Sequence, residues 1–337
     1  MENGKQIILS ICIPTYNRGL RVFETVQEIL SSYKEDDIEI VVVDDCSMDG
    51  TIELLKQIED KRLRIIHNEV RLGQVNNQFY ALWCGEGKYV KVLIDRDKIY
   101  VNRIKSFMQK LYKYNSAIIF EGCPRTEHIN SENISKKWYK LCTRTHPSSL
   151  TYLRSALHSA CNYKDVVTLM EYKDTPYVYF PSVINVLLYH RYGTSLHLGD
   201  SYIYQCAKNT ISGNYYEGGT EYYRESGAEK RFALYCRIGV IDKYKREAIS
   251  LYAGELRNAT LWNWESNEEI KKRTGVRTKT IKEILKDNSL FYKYSHFFFR
   301  NDLFGEITIL LITVLNLFRI IFWKNELLEK VWSYFFI

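Results

Sequence analysis

The 337-residue sequence lacks the short motifs by which many proteins declare themselves. Its eight cysteines (Cys12, Cys46, Cys84, Cys123, Cys142, Cys161, Cys206 and Cys236) stand singly, with no Cys-x-x-Cys pair. Several fall in apolar runs, where cysteine packs as a small hydrophobe, so reduced thiols in a cytosolic compartment are expected. There is no GxGxxG and no Walker loop, which excludes the dinucleotide and P-loop ways of holding phosphate. Nor is there a nucleic-acid-binding motif, and 47 Lys+Arg against 40 Asp+Glu give only +7, too weak and dispersed a charge to argue for nucleic acid. That mild excess suits a protein that meets phosphates or an anionic membrane face. The amino terminus enters an apolar strand at once, without a secretory hydrophobic region. No repeat or low-complexity linker divides the chain, and 46% hydrophobic with 26% charged residues excludes disorder.

What the sequence does have is an alternation of short apolar strands and amphipathic helices. Ile7 to Ile13 is a strand that Pro14 should stop, followed by a turn and helical spacing over Leu20 to Tyr33. Ile38 to Val43 is a second buried strand, Thr51 to Ile58 a short helix, and Leu63 to His67 a third strand. Gly73 opens a helix through Val75, Phe79 and Leu82, and Tyr89 to Ile94 is the fourth strand. A helix over Ile104 to Tyr114 and a strand over Ala117 to Glu121 extend the series. This order predicts a parallel α/β half-domain.

The polar ends of the first, second and fourth strands are PTYNR, DDCS and DRD. In a right-handed α/β layout these loops converge on one edge, where ligands bind. Tyr16 can stack on a base, Asp45 can accept hydrogen bonds from a base or ribose, and Asp95 with Asp97 can hold a metal on a diphosphate. Together they point to a nucleotide site.

Four segments in order, LSICIPTYNRG, IEIVVVDDCSMDGT, HNEVRLGQVNNQFYAL and GEGKYVKVLIDRD, resemble the amino-terminal half of family 2 glycosyltransferases of the GT-A fold. The resemblance implies a Rossmann-like mixed sheet with helices on both faces, a nucleotide-diphospho-sugar donor, and inversion at the anomeric carbon. By motif position it implies donor binding by Pro14, Thr15, Tyr16, Arg18, Asp44, Asp45, Arg71, Gln74, Asp95 and Arg96, with Mg or Mn on Asp95 and Asp97. Two departures stand out. The family commonly reads Leu-Asp-x-Asp-Asp at the fourth strand. Counting from Gly87, Ile94 takes the first acidic position and Arg96 falls on the usual principal metal ligand, where it can itself offset phosphate charge; shifted by one residue, Asp95 and Asp97 regain acidic positions and Lys98 takes the last. The Glu-Asp pair that often supplies the general base is also missing before the helix Pro181 to Tyr192. Glu171 and Asp174 are the nearest acids, with Asp174 the candidate base; His146, in a His-Pro-Ser stretch, resembles a donor- or acceptor-side position.

Beyond Asn130 motifs run out. Ser195 to Cys206 reads as a strand pair, and the sequence turns helical from about Ala228. The expected division is a donor-binding half over 1–122, an acceptor-binding half over 123–227 and a helical region over 228–337. The last part is apolar and aromatic, with Arg300, Arg319, Lys324 and Lys330 along it and Glu306, Asn316 and Arg319 interrupting a bilayer-length span. It reads as a helix lying in the membrane interface rather than crossing it. With the resemblance, which implies a glycosyltransferase, this tail predicts an enzyme on the inner face of a bacterial membrane. It would use a lipid-linked saccharide acceptor in surface-polysaccharide synthesis. The alternatives are a non-catalytic nucleotide-sugar-binding scaffold and a nucleotidyltransferase.

Overall fold

The apolar run that opens the sequence forms β1 (Leu9–Thr15), buried along its whole length. The computed structural model describes residues 6–121, 133–135, 147–160, 184–185, 187–188, 191–192, 195–198, 203–205 and 303–321. Most of these belong to the first of two contact-defined units, made of Met1–Trp138, Arg144–Val167 and Leu187–Asn209.

After β1 come α1 (Gly19–Ser32), β2 (Ile38–Asp44), α2 (Thr51–Leu55), β3 (Leu63–His67), α3 (Gln74–Cys84) and β4 (Tyr89–Val92). Then follow β5 (Asp97–Ile99), α4 (Ile104–Lys113), β6 (Ile118–Phe120), β7 (Asn133–Ser135), β8 (Leu150–Leu153), β9 (Ser195–His197) and β10 (Ile203–Gln205). The main sheet has eight strands in the order β3-β2-β1-β4-β8-β6-β9-β7. The first four are parallel, as the strand–helix alternation requires; β8 then runs antiparallel to both β4 and β6. The sheet is therefore mixed.

Both faces are covered. Ile11 and Ile13 of β1 pack with Val22, Val26 and Ile29 of α1, while Cys12 packs with Val41, Val43 and Ala81 on the other face. Continuous apolar strands with alternate residues buried on opposite sides are what a two-sided parallel sheet needs. The carboxyl ends of β1, β2 and β4 consequently share one edge.

Three boundaries differ from the sequence expectation. β1 continues through Pro14 to Thr15, because Pro14 sits near the strand end, where one missing donor is tolerated. The helix at Thr51 stops at Leu55. The expected strand Tyr89–Ile94 ends at Val92, since the Ile94 amide turns to the Ser148 hydroxyl at 3.0 Å instead of continuing the ladder. The chain then forms β5, which pairs antiparallel with β10 in a separate two-stranded sheet. The expected strand pair near residue 200 is thus split between two sheets, β9 in one and β10 in the other.

In the second unit the described helix Leu303–Ile321 buries Ile309, Ile312 and Thr313. Leu303, Ile307, Leu310, Leu311 and Val314 are exposed along one stripe of that helix. Among the described residues, no helix is long and apolar enough to cross a membrane.

Candidate functional site

Two of the edge loops hold backbone conformations that side chains rarely adopt. Asn17, after β1, has φ 51°, and Cys46, after β2, has φ 63°. Such strain persists only where surrounding bonds over-determine it. Here the bonds run between the two loops: the Asn17 amide donates to Ser47 Oγ at 2.8 Å, and the Met48 amide donates to Asn17 Oδ1 at 2.9 Å. The Asp45 amide donates to the Thr15 carbonyl at 2.9 Å.

Asp44 and Asp45 are both buried, at 0% and 2% exposure, and they do different things. The Asp45 carboxylate faces the segment before α3. It accepts the Leu72 amide at 2.7 Å, the Gly73 amide at 2.9 Å and Asn68 Nδ2 at 3.1 Å. Gly73 sits at φ 81° and ψ 163°, a region essentially reserved for glycine, which lets its amide reach Asp45. Asp45 therefore does not stand open to a base or ribose as the sequence suggested; its oxygens hold the 68–73 loop. That loop carries Arg71, whose guanidinium carbon lies 4.1 Å from the centre of the Tyr16 ring, a cation–π contact. Gln74 follows at the start of α3 and is exposed.

Asp44 Oδ2 accepts the Ser47 amide at 2.9 Å and lies 2.8 Å from His67 Nδ1. Its Oδ1 is buried without a hydrogen-bond partner among the described residues, and so is Thr15 Oγ1. The two residues are register partners across β1 and β2. Two acceptor-capable oxygens left waiting on the ligand edge are costly unless something completes them. Pro14, beside Thr15, is buried in the strand.

The loop between β4 and β5 is built around a buried polar chain. Ser148 Oγ donates to Asp97 Oδ2 at 2.6 Å and accepts the Ile94 amide. The Ser148 carbonyl accepts from Lys91, whose ammonium also pairs with Glu121. Lys91 and Asp97 are 1% and 0% exposed. Burial holds the Lys91 ammonium below the ordinary lysine range, while Glu121 and then Asp97 pull it back. Asp95 lies 3.3 Å from Arg18 Nε. Burial pushes the Asp95 carboxyl up to about 6, opposed by the charges of Arg18, Arg96 and Arg21, and reinforced by Asp97. Arg21 Nη2 donates to the Arg96 carbonyl, fastening α1 to this loop.

These side chains do not fit a hard divalent cation. Such an ion takes unencumbered oxygen ligands. Asp97 is wholly inside on the Ser148 hydroxyl, and Asp95 is paired with a guanidinium and within electrostatic reach of two more. Among the described residues no group of three or more metal-ligating side chains is gathered. As they stand among the described residues, Asp97 is taken up by Ser148 and Asp95 by Arg18, and no step is derived through a metal.

Ser148, Lys91, Glu121, Asn68 and Arg21 were not foreseen as site residues. The only signal for Lys91 was a lone charge in an apolar strand. Glu171, Asp174 and His146 lie outside the described residues.

Residues 10–165 match the sequence model of Glycosyl transferase family 2. The chain is 30% identical over 124 residues to the putative teichuronic acid biosynthesis glycosyltransferase TuaG of Bacillus subtilis (strain 168), covering 36% of this chain and 48% of that protein. It is 35% identical over 95 residues to WfaP of Escherichia coli, a UDP-Glc:alpha-D-GlcNAc-diphosphoundecaprenol beta-1,3-glucosyltransferase, covering 28% of this chain and 37% of that one. The matched stretch thus spans less than half the length of these curated relatives. Among solved structures, Staphylococcus aureus TarS 1-349 in complex with UDP-GlcNAc superposes with a TM-score of 0.59 at 16% identity, covering 85% of this chain and 81% of that chain. That likeness is one of fold, and the mixed sheet is the Rossmann-like sheet of the GT-A type.

Proposed function

We propose that this chain, a family 2 glycosyltransferase through its residues 10–165, moves a sugar from a nucleotide-diphospho-sugar to a hydroxyl of a lipid-linked glycan, with inversion. The observation that carries the reading is the meeting of three strand ends at one edge: Tyr16 under Arg71, Thr15 beside Asp44, and Asp95 among arginines. In this reading Pro14, Tyr16, Arg71 and Gln74 line the base. Thr15 Oγ1 and Asp44 Oδ1 take hydrogen bonds from base or ribose. Asp45 acts through the loop it fastens, and Arg18, Asp95 and Arg96 face the diphosphate.

The reaction is a displacement at the anomeric carbon. The acceptor oxygen forms the new bond to that carbon as the bond to the diphosphate oxygen breaks. The bonding pair leaves with the nucleoside diphosphate, and the acceptor proton passes to a carboxylate base. Asp174 remains the candidate base. Residues 1–122 would bind donor, 123–227 acceptor, and 228–337 would form the helical extension.

WfaP acts on a diphosphoundecaprenol-linked sugar, and that likeness supports a polyprenyl-linked acceptor here, in capsule, O-antigen or exopolysaccharide synthesis. The exposed apolar stripe of Leu303, Ile307, Leu310, Leu311 and Val314 supports a peripheral position on the inner membrane face. The test is product analysis with a panel of nucleotide sugars and polyprenyl-diphosphate-linked acceptors. Release of nucleoside diphosphate with formation of a glycosylated lipid is expected. Pyrophosphate release, or donor binding with no turnover on any acceptor, would overturn the reading.

A further inference from the structure

The charge at the end of β4 is opposite to what a metal site requires. Arg18, Arg21 and Arg96 all act electrostatically on Asp95, which is the only carboxylate of this loop that is not fully buried. Asp97 faces inward, where Ser148 bonds it and the Lys91 ammonium lies within electrostatic reach. Arg18, Arg21 and Arg96 outnumber the two carboxylates of Asp95 and Asp97 around this loop, an excess of positive charge that disfavours a cation and favours an anion.

The loop is also held in place before any ligand arrives. Arg21 Nη2 bonds the Arg96 carbonyl from α1, Ser148 takes the Ile94 amide, and the Asp97 amide donates to the Ile94 carbonyl at 2.8 Å. Lys98 adds a weaker tie to Glu28 of α1, at 3.6 Å. Arg96 thus sits on a braced backbone just beyond the carboxyl end of β4, between Asp95 and Asp97.

We propose that this chain binds the diphosphate of its donor through the guanidiniums of Arg96 and Arg18, without a divalent cation, while Asp97 braces the loop from inside. The proposal rests on the donor reading above and adds how the phosphates are held. Arg18 is 26% exposed in its side chain, and Asp95 fixes it at the site until a phosphate oxygen competes for the same guanidinium. Guanidinium forks suit phosphate oxygens geometrically, and fixed donors of this kind stabilise charge with little reorganisation. As the bond from the anomeric carbon breaks, the leaving diphosphate gains the electron pair. Arg96 and Arg18 then stabilise the charge that a metal would otherwise meet.

The experiment is calorimetric titration of the full chain with UDP, GDP, CDP and dTDP, each in EDTA and in Mn²⁺ or Mg²⁺. One nucleoside diphosphate is expected to bind equally well, within about twofold, in all three conditions. Arg96→Ala should weaken that binding in EDTA by roughly tenfold to a hundredfold, in keeping with loss of a charge-assisted contact. Arg96→Asp should lose binding in EDTA and regain it with Mn²⁺. Asp95→Asn should bind in EDTA at least as tightly as the parent, since it frees Arg18. Melting curves confirm that each variant is folded. Binding by the parent only in the presence of Mn²⁺ or Mg²⁺ would overturn the proposal while leaving the donor reading intact. Unchanged affinity in a folded Arg96→Ala variant, or loss of EDTA binding in Asp95→Asn, would overturn it equally. Binding of no nucleotide under any condition would overturn both.

Discussion

The Ser148 hydroxyl donates to Asp97 across 2.6 Å, and Asp97 has no exposed surface. Residues 51 positions apart in sequence are joined there because β8 lies directly beside β4, bringing the turn before β8 against the loop after β4. The bond explains why an acid that looks like a metal ligand in sequence faces the interior.

Removing that hydroxyl should be felt in stability. Ser148→Ala takes a donor from a buried carboxylate and an acceptor from the Ile94 amide. A loss of about 1.5–3 kcal/mol is expected from urea denaturation. Ser148→Thr, which keeps the oxygen, should lose less. Equal stability of Ser148→Ala and the parent would show that the bond is not made in solution.

The Lys91–Glu121 pair should behave as a buried ion pair. Lys91→Met leaves Glu121 inside without its ammonium, at a cost of about 3–5 kcal/mol. Combining it with Glu121→Leu should restore much of the loss, because two apolar side chains avoid the desolvation of both charges. A double-mutant cycle in urea reads the coupling directly.

Tyr16 should matter through its ring. Tyr16→Phe keeps the face under Arg71 and should bind the donor nucleotide within about threefold of the parent. Tyr16→Ala should lose about tenfold or more, as stacking on an aromatic side chain contributes ~1–3 kcal/mol. Affinities from nucleotide titration decide between them.

His197 gives a pH signature of its own. It is 4% exposed, stacks on Phe120 with ring centres 5.1 Å apart and lies 3.0 Å from Ser195 Oγ. Burial lowers its pKa from 6.5 to about 4. The unfolded chain therefore takes up a proton that the folded one refuses between those values. This residue's contribution is constant above about pH 6.5 and is lost as pH falls toward 4. His197→Gln should flatten that part of the stability–pH curve relative to the parent.

The carboxyl-terminal helix can be tested on vesicles. Leu310→Glu with Leu311→Glu places two charges on its exposed apolar stripe. Binding to anionic phospholipid vesicles should fall by at least tenfold, since apolar burial drives interfacial attachment. Parent protein that fails to sediment with vesicles would remove the membrane reading.

The sequence by itself determined the parallel half of the sheet. Runs such as IEIVVV are too apolar and β-branched to be anything but strands covered on both faces. Their spacing by amphipathic helices forces parallel neighbours, and with them a shared ligand edge at Tyr16, Asp45 and Asp95. Local pattern carried that much because both the period and the turn residues act over a few positions. Only the tertiary structure decided where the acids of that edge turn. Asp45 closes on the amides of Leu72 and Gly73, and Asp97 closes on Ser148, each partner lying more than twenty-five residues away. No period in the sequence records such contacts. The direction of a carboxylate depends on which donors the fold brings within about 3 Å of it, and those donors come from other strands and loops.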